Sequence, residues 1–342
     1  MDKRHEQWID YIKVMACILV VLGHFFQSMV RSNIIDASKL YIWFNQTIYF
    51  FHVRLFFVCS GYLYQKRESF AFFSTERLSF IKRKFISLMI PYISFSCLMF
   101  LGRNLLASSV NIKNTNLLYS IFINPTAPYW YLIALFFIFL IIPLIKTKSY
   151  VLLLILISTI STILSYFGLA ISVPSISLTI NNIMWFILGM LICYYSQCFH
   201  NSICKTIGYI CITVFTIMSL FVFIPYIHIN SYALSIIMGL LATTGFVLIE
   251  YNYSKEHIWK KLIVERIYPY ILPVFLMHTI FAGTTRVLLL KIGIHNFTIH
   301  CICGISASIL GPVLYMKMSD IKHMRFLKYL IYPSIIINKN NK

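Results

Sequence analysis

Ten long apolar stretches follow one another along this chain, separated by short polar segments. They cover residues 9–30, 43–64, 84–106, 128–146, 149–168, 180–197, 204–225, 231–250, 268–290 and 297–317. A helix needs about 20 mostly apolar residues to cross the hydrocarbon core of a bilayer. The pattern therefore predicts an all-α integral membrane protein, a polytopic bundle of about ten transmembrane helices.

The composition excludes a water-soluble domain, because only 11% of the residues are charged and the mean hydropathy is +0.80. A net charge of +19 would elsewhere suggest nucleic acid as a partner. No polar segment is long enough to carry a nucleic-acid-binding domain, so we expect no nucleic acid and take the bilayer as the first partner. We expect residues 1–342 to form a single transmembrane domain without an appended soluble domain.

The distribution of basic residues predicts the orientation, since Lys and Arg are retained on the cytoplasmic side. Of the 29 Lys and Arg residues, 21 fall on the side of the N-terminus, five on the other side and three within spans. An even number of spans places both termini on the same side. Both termini are therefore predicted to be cytoplasmic.

The first span carries three titratable side chains, Asp10, Lys13 and His24. Asp10 and Lys13 are three residues apart and can pair on one helix face. Lys13 and His24 are eleven residues apart, so His24 lies on the same face about 16 Å further along the helix. Charged and titratable groups are costly within a bilayer and usually face a protein interior or a wet cavity.

His24 is the candidate general base, because a neutral imidazole near pH 7 can accept a proton from an alcohol. A histidine that only links two helices by a hydrogen bond is an equally good interpretation from the sequence alone. Asp10 and Lys13 could support the site, or they could form an interfacial pair near the membrane surface.

The second span places His52 and Arg54 near mid-membrane, with Ser60 and Gly61 further along. A guanidinium at that depth suggests an anionic ligand group or a buried carboxylate, and carboxylates are scarce in the spans. His52, Arg54 and Ser60 are therefore candidate substrate-binding residues. For Gly61 beside Ser60, close helix packing through small residues is the alternative.

The ninth span contributes His278 near its centre and Arg286 toward its far end. With His24 and His52, His278 makes three spans that each supply an imidazole. Arg286 is a further substrate-binding candidate, with outward snorkelling as its alternative. Trp130, at the start of the fourth span, could stack on a sugar ring or belong to an interfacial aromatic belt.

The basic run Lys82, Arg83 and Lys84 stands just before the third span. Clustered cations bind phosphates, so the run is a candidate site for a coenzyme A thioester, although positive-inside anchoring explains many such runs. A metal site is not expected, because Cys301 and Cys303 are spaced too closely for zinc and have no second pair of ligands.

These features together resemble the acyltransferase 3 family, and within it the fucose 4-O-acetylase-like branch. The first span fits the pattern D-x-x-[RK]-x-x-A-x-x-x-V-x-x-x-H, and the second is similar to the stretch F-H-M-P-L-F-F-x-x-S-G-Y. Pro91-Tyr92, Tyr129 to Leu132, Trp185 to Met190 and Leu276 to His278 then follow in the family's order. The resemblance covers the chain to about residue 280.

The resemblance implies a multi-pass protein of the bacterial cytoplasmic membrane that O-acylates sugars. It implies that His24 is essential, that Asp10 and Lys13 support the site, and that the basic run before the third span helps to bind the acyl donor. The expected donor is acetyl-CoA or another acyl-CoA, consumed as a substrate, with no bound cofactor. The expected acceptor is a hydroxyl of a surface polysaccharide or a lipid-linked glycan.

Two positions depart from the family pattern. Arg54 stands where the family commonly has proline, and the paired arginines of the family motif R-x-x-R correspond to Lys84 and Ser87. Only one cation remains at that pair, and Lys82 and Arg83 could compensate.

Two other functions fit the same residues. In a transporter or flippase for lipid-linked glycans, the buried His and Arg side chains would line a translocation path. In a structural partner of the polysaccharide biosynthesis machinery, the same side chains would be dispensable, which their cost within a bilayer disfavours.

Overall fold

The computed structural model describes residues 6–105, 116–167, 173–199, 201–223, 232–253 and 264–334. Within these ranges the chain is helical and contains no β-strand. The helices are α1 (Gln7–Arg31), α2 (Lys39–Tyr49), α3 (His52–Arg67), α4 (Thr75–Lys84), α5 (Ile90–Leu105), α6 (Trp130–Ile141), α7 (Lys148–Tyr166), α8 (Pro174–Tyr194), α9 (Ser202–Ser219), α10 (Tyr232–Tyr253), α11 (Ile271–Lys291), α12 (Phe297–Met318) and α13 (Phe326–Ile331).

The all-α membrane class predicted from the sequence is confirmed. Eight helical segments among the described residues are long and apolar enough to cross a membrane. Two of the predicted spans differ from this pattern: the second is split into α2 and α3, and the fourth contains only the 12-residue α6. The number of about ten crossings and the side of the termini stay predictions.

The break between α2 and α3 lies at Phe50 and Phe51, although neither proline nor glycine is present there. Phe51 leaves the helical conformation, with φ −140° and ψ −29°. The Ile48 carbonyl accepts hydrogen bonds from the Phe51 backbone N–H at 3.2 Å and from Nδ1 of His52 at 2.5 Å. The His52 side chain thus satisfies a carbonyl at the end of α2, and the first turn of α3 begins inside the bundle.

A five-residue π-helix, Phe85–Met89, joins α4 to α5. Pro91 explains it, because proline has no N–H to donate to the carbonyl of Ser87, and its ring would clash with that carbonyl in a regular α-helix. The α4 segment is held by Arg77, whose guanidinium donates to the Leu140 carbonyl at 2.6 Å and lies 3.5 Å from the Phe72 ring centroid. This anchoring fixes the position of Lys84, the last residue of α4.

Helices α3 and α8 cross with their backbones in contact. A Cβ atom at Gly61 would overlap the Phe186 carbonyl oxygen, and one at Gly189 would overlap the Val58 carbonyl oxygen. Small residues permit this approach and drive helix association where water is absent. The packing interpretation of Gly61 is therefore the one that the structure supports.

Helix α1 is the most enclosed of the long segments: 61% of an apolar 18-residue stretch within it is buried inside the protein. The corresponding shares are 17% for α7 and α9 and 22% for α12. A helix with titratable side chains thus lies at the centre, and largely apolar helices lie at the periphery.

Candidate active site

His24 lies where two cavities meet. One cavity has a volume of about 440 Å³ and is lined by His24, His52, Arg54, Trp130 and a pair of asparagines. We call it the polar cavity. The other has a volume of about 220 Å³ and is lined by His24, His278, Arg31, Arg103 and Arg286 together with apolar side chains. We call it the arginine cavity. His24, Arg31 and Ala127 belong to the walls of both.

Six of the predicted site residues are brought together by this arrangement. His24, His52, Arg54, Trp130, His278 and Arg286 each line at least one of the two cavities. They come from α1, α3, α6 and α11, so residues from distant parts of the sequence meet at one site. The larger cavity falls within the range of about 300 to 1,000 Å³ that is typical of small-molecule sites.

His24 and His278 face each other, with ring centroids 5.4 Å apart. Nδ1 of His278 lies 3.0 Å from the Val274 carbonyl and 2.9 Å from the Phe275 carbonyl, so Nδ1 carries the proton in the neutral ring. Nε2 of His278 is then an acceptor, and no hydrogen-bond partner for it is found among the described residues. The second imidazole is fixed in orientation by the helix backbone and offers one lone pair.

His52 is buried and is oriented by its bond to the Ile48 carbonyl and by the Tyr49 ring, whose centroid lies 4.6 Å away. The hydrogen bond assigns the proton of the neutral ring to Nδ1. The break between α2 and α3 therefore sets both the position and the tautomer of a side chain in the polar cavity.

Arg54 is bound by the protein on two sides. Its Nη1 donates to the Ser235 carbonyl at 2.5 Å, and its Nη2 donates to Ser235 Oγ at 2.6 Å. Its guanidinium also lies 4.5 Å from the Trp185 ring centroid. No carboxylate partner is found among the described residues, so the guanidinium brings a positive charge to the wall of the polar cavity.

Gly239 makes room for Arg54, because a Cβ atom at this position would overlap the Arg54 guanidinium. We expect Gly239→Ala to lower the free energy of unfolding by about 1 to 3 kcal/mol, the usual cost of overpacking. In the double variant Arg54→Ala/Gly239→Ala, the added methyl group meets no guanidinium. Thermal unfolding of the purified protein should therefore show less destabilisation in the double variant than the two single variants predict together. Strict additivity would show that Gly239 does not accommodate Arg54.

Arg286 points into the bundle, and the snorkelling alternative does not describe it. The side chain is only 9% exposed, and Nη1 donates to Oγ and to the backbone carbonyl of Ser28, the latter at 3.2 Å. This bond ties α11 to α1 close to His24. Sequence reasoning missed Arg31 and Arg103, which lie at the ends of their spans, where a cation is expected for other reasons.

Asp10 and Lys13 are distant from His24. Because α1 is one continuous helix, Lys13 lies about 16 Å and Asp10 about 21 Å along the axis from His24. Lys13 interacts electrostatically with Asp10 and Arg67, and Lys84 interacts with Glu68 first and then with Lys13, Arg67 and Arg83. These residues form a charged cluster at the N-terminal end of α1, at the opposite end of the bundle from Arg31.

The three cations of the basic run differ in environment. Lys82 and Arg83 are exposed, and Arg83 lies 3.9 Å from Glu68. Lys84 is partly buried, with its Nζ 5.2 Å from the Phe80 ring centroid and 4.7 Å from that of Phe139. Only Lys84 is therefore directed into the protein.

Ser60 and Trp130 have different surroundings. Oγ of Ser60 lies 3.1 Å from the Tyr131 hydroxyl, which places it in the contact between α3 and α6, outside the walls of both cavities. Trp130 is partly exposed and lines the polar cavity with Asn181 and Asn182.

No group of three His, Cys, Asp or Glu side chains within the described ranges is placed to hold a metal ion.

The family model of the acyltransferase 3 family, described as an acyltransferase domain, matches residues 6–317. The match covers both cavities and nearly the whole chain. This chain is a multi-pass membrane protein that belongs to the acyltransferase 3 family. Neither a curated protein nor a solved structure matches it.

Proposed function

We propose that this protein is an O-acyltransferase of the bacterial cytoplasmic membrane. It transfers an acyl group, with acetyl as the expected one, from acyl-CoA to a sugar hydroxyl of a surface polysaccharide or lipid-linked glycan. The observation that carries the proposal is the position of His24 in the wall shared by two cavities. A base at that point can reach a hydroxyl held in one cavity while a second group occupies the other.

The proposed step uses His24 as general base. The imidazole accepts the proton of the sugar hydroxyl while the oxygen attacks the thioester carbonyl carbon. The new C–O bond forms, the C–S bond breaks, and the leaving thiolate takes the proton from the imidazolium. Atoms and charges balance without any further reactant.

The polar cavity supports a sugar as the acceptor. Its wall combines Trp130, a flat apolar surface for one face of a pyranose ring, with the amides of Gln27, Asn181 and Asn182. Amide side chains both donate and accept hydrogen bonds, as sugar hydroxyls do. Sugar recognition needs this combination of one stacking surface and several polar groups that converge on the ring.

The charged cluster around Lys13, Arg67 and Lys84 supports a donor with phosphate groups. In the orientation predicted from the basic residues, this cluster faces the cytoplasm, where coenzyme A thioesters are made. The separation of about 16 Å between Lys13 and His24 suits an extended pantetheine arm, which would carry the thioester to the base while the phosphates stay at the cluster. Lys13 would then act on the donor without touching His24.

If the donor binds at this cluster, replacing Lys84 and replacing Lys82 should change the KM for acetyl-CoA to different extents. We expect Lys84→Gln to raise the KM for acetyl-CoA by about 10-fold or more, because a hydrogen bond to a charged group contributes about 1.5 to 3 kcal/mol. Lys82→Gln removes the same charge from an exposed neighbour and should change the KM little. Steady-state kinetics at varied acetyl-CoA check this. If neither variant changes the KM, the basic run does not bind the donor and serves only as a membrane anchor.

The function as a whole is tested on surface polysaccharide from cells with and without this protein. Proton NMR before and after mild base, which removes O-acyl esters, should show an ester signal only when the protein is present, and the spectrum names the acyl group. If acylation is unchanged in cells without the protein while the amount of exported polymer falls, the protein is a flippase and not an acyltransferase.

A further inference from the structure

Three guanidinium groups from three different helices converge on the arginine cavity. Arg31 ends α1, Arg103 lies near the end of α5, and Arg286 lies in the second half of α11. Arg31 is close enough to interact electrostatically with Arg103 and with His24. Among the described residues that line this cavity, none is acidic.

Such a convergence of like charges is costly unless an anion compensates for it. Cations that share one small cavity repel each other, and the repulsion is larger where water is partly excluded. Arg286 is the deepest of the three at 9% exposure, whereas Arg31 is exposed. The positive charge therefore extends from the mouth of the cavity to its floor.

A phosphate group fits these donors better than a carboxylate does. Its oxygens point in tetrahedral directions and can accept from guanidinium groups on three sides, whereas a carboxylate offers two oxygens in one plane. The remaining wall is mostly apolar, with Phe25, Leu98 and Val287 among its side chains, and Ser28, Thr279 and Thr284 add hydroxyl groups. An apolar wall beside arginines suits a phosphate that is attached to a lipid.

We propose that the arginine cavity binds a phosphate group of the acceptor, so that the sugar is presented to His24 while it is joined to that phosphate. This inference rests on the proposed function and adds the chemical class of the acceptor. The two cavities share His24, Arg31 and Ala127, so a sugar in the polar cavity and a phosphate in the arginine cavity are adjacent. The donor phosphates have a separate set of cations, at the other end of α1.

The test measures ligand-induced thermal stabilisation of the purified protein in detergent, since a ligand that binds the folded state raises the Tm. The probes are undecaprenyl phosphate, glucose 1-phosphate, uncharged undecaprenol, glucose and coenzyme A. The variants are Arg103→Gln, which removes a cavity cation, and Arg103→Lys, which keeps the charge. Lys291→Gln is the matched control, because Lys291 is exposed at the same end of the bundle and does not line the cavity.

We expect undecaprenyl phosphate to raise the Tm of the wild type and of Lys291→Gln. Arg103→Gln should lose at least half of the shift, and Arg103→Lys should keep most of it. Glucose 1-phosphate distinguishes the source of the phosphate: no shift indicates a lipid carrier, and an equal shift indicates a phosphate within a soluble or polymeric acceptor. Undecaprenol and glucose should have no effect that depends on Arg103.

Three results would overturn the inference. The first is that neither phosphate probe changes the Tm of the wild type. The second is that the shift persists in Arg103→Gln. The third is that Arg103→Gln abolishes the shift caused by coenzyme A, which would assign the cavity to the donor. In each case an O-acyl ester that still depends on the protein would leave the acyltransferase function standing.

Discussion

Asparagine in place of His24 is expected to lower the rate of acyl transfer by about 10²- to 10⁴-fold, the usual contribution of a positioned general base. Asparagine can still form hydrogen bonds, but it cannot accept a proton near pH 7. His24 is partly exposed and faces the cavities, so its replacement leaves no large void in the core. The loss should appear in kcat for ester formation from acetyl-CoA and acceptor, measured with protein reconstituted in vesicles.

The controls separate chemistry from folding. His295→Asn changes an exposed histidine in the turn between α11 and α12 and should leave the rate unchanged. His278→Asn changes the ring that faces His24, and we expect a smaller loss than for His24→Asn, because His278 is bonded to its own helix. If His24→Asn keeps the wild-type rate and Tm, another group accepts the proton and the proposed step is wrong.

Alanine at Gly61 or Gly189 is expected to cause a larger loss of stability than alanine at any other described glycine. In both variants the new Cβ atom would overlap a backbone carbonyl of the facing helix, which cannot rotate aside as a side chain can. The expected cost is 1 to 3 kcal/mol or more, about the range for overpacking. Alanine favours a helix over glycine by about 1 kcal/mol, so a net loss here directly measures the close crossing of α3 and α8.

Gly283→Ala and Gly102→Ala are the matched controls. Both glycines lie within helices, and among the described residues no side chain and no backbone atom of another segment lies within 4 Å of the Cβ that alanine would add. Their Tm values should equal or exceed that of the wild type, because only the gain in helix propensity remains. The measurement is thermal unfolding of all four variants in the same detergent. Equal Tm values for all four would contradict the backbone contact of α3 and α8.

Much of the fold and several residues of the candidate site could be predicted from the sequence, because the bilayer restricts both. Within a bilayer, a long apolar stretch can satisfy its backbone hydrogen bonds only as a helix. The sequence therefore predicted an all-α membrane protein, and the structure confirms that class. The cost of burying titratable groups identified His24, His52, Arg54, His278 and Arg286, and the structure places all five in cavity walls. Trp130 also lines the polar cavity, although tryptophans at span ends commonly belong to an interfacial aromatic belt.

Sequence reasoning did not find the features that depend on how the helices are placed. The split of the second span at Phe50 and Phe51 carries no proline or glycine, so nothing in the local pattern indicates it. Arg31 and Arg103 lie at span ends, where the positive charge already has a topological explanation. The distance of Asp10 and Lys13 from His24 follows from helix geometry, but the family motif groups the three residues as one site.

The uneven enclosure of the helices should be visible as uneven tolerance to amino-acid replacement. Most of the surface of helices α7, α9 and α12 faces away from the protein. Almost any apolar side chain is therefore tolerated on that surface. In helix α1, 61% of the apolar 18-residue stretch is buried. Its side chains must therefore keep particular shapes, to pack against their neighbours, as well as an apolar character. A scan of all single substitutions should therefore record a narrow choice of residues along α1 and a broad apolar choice along the three peripheral helices.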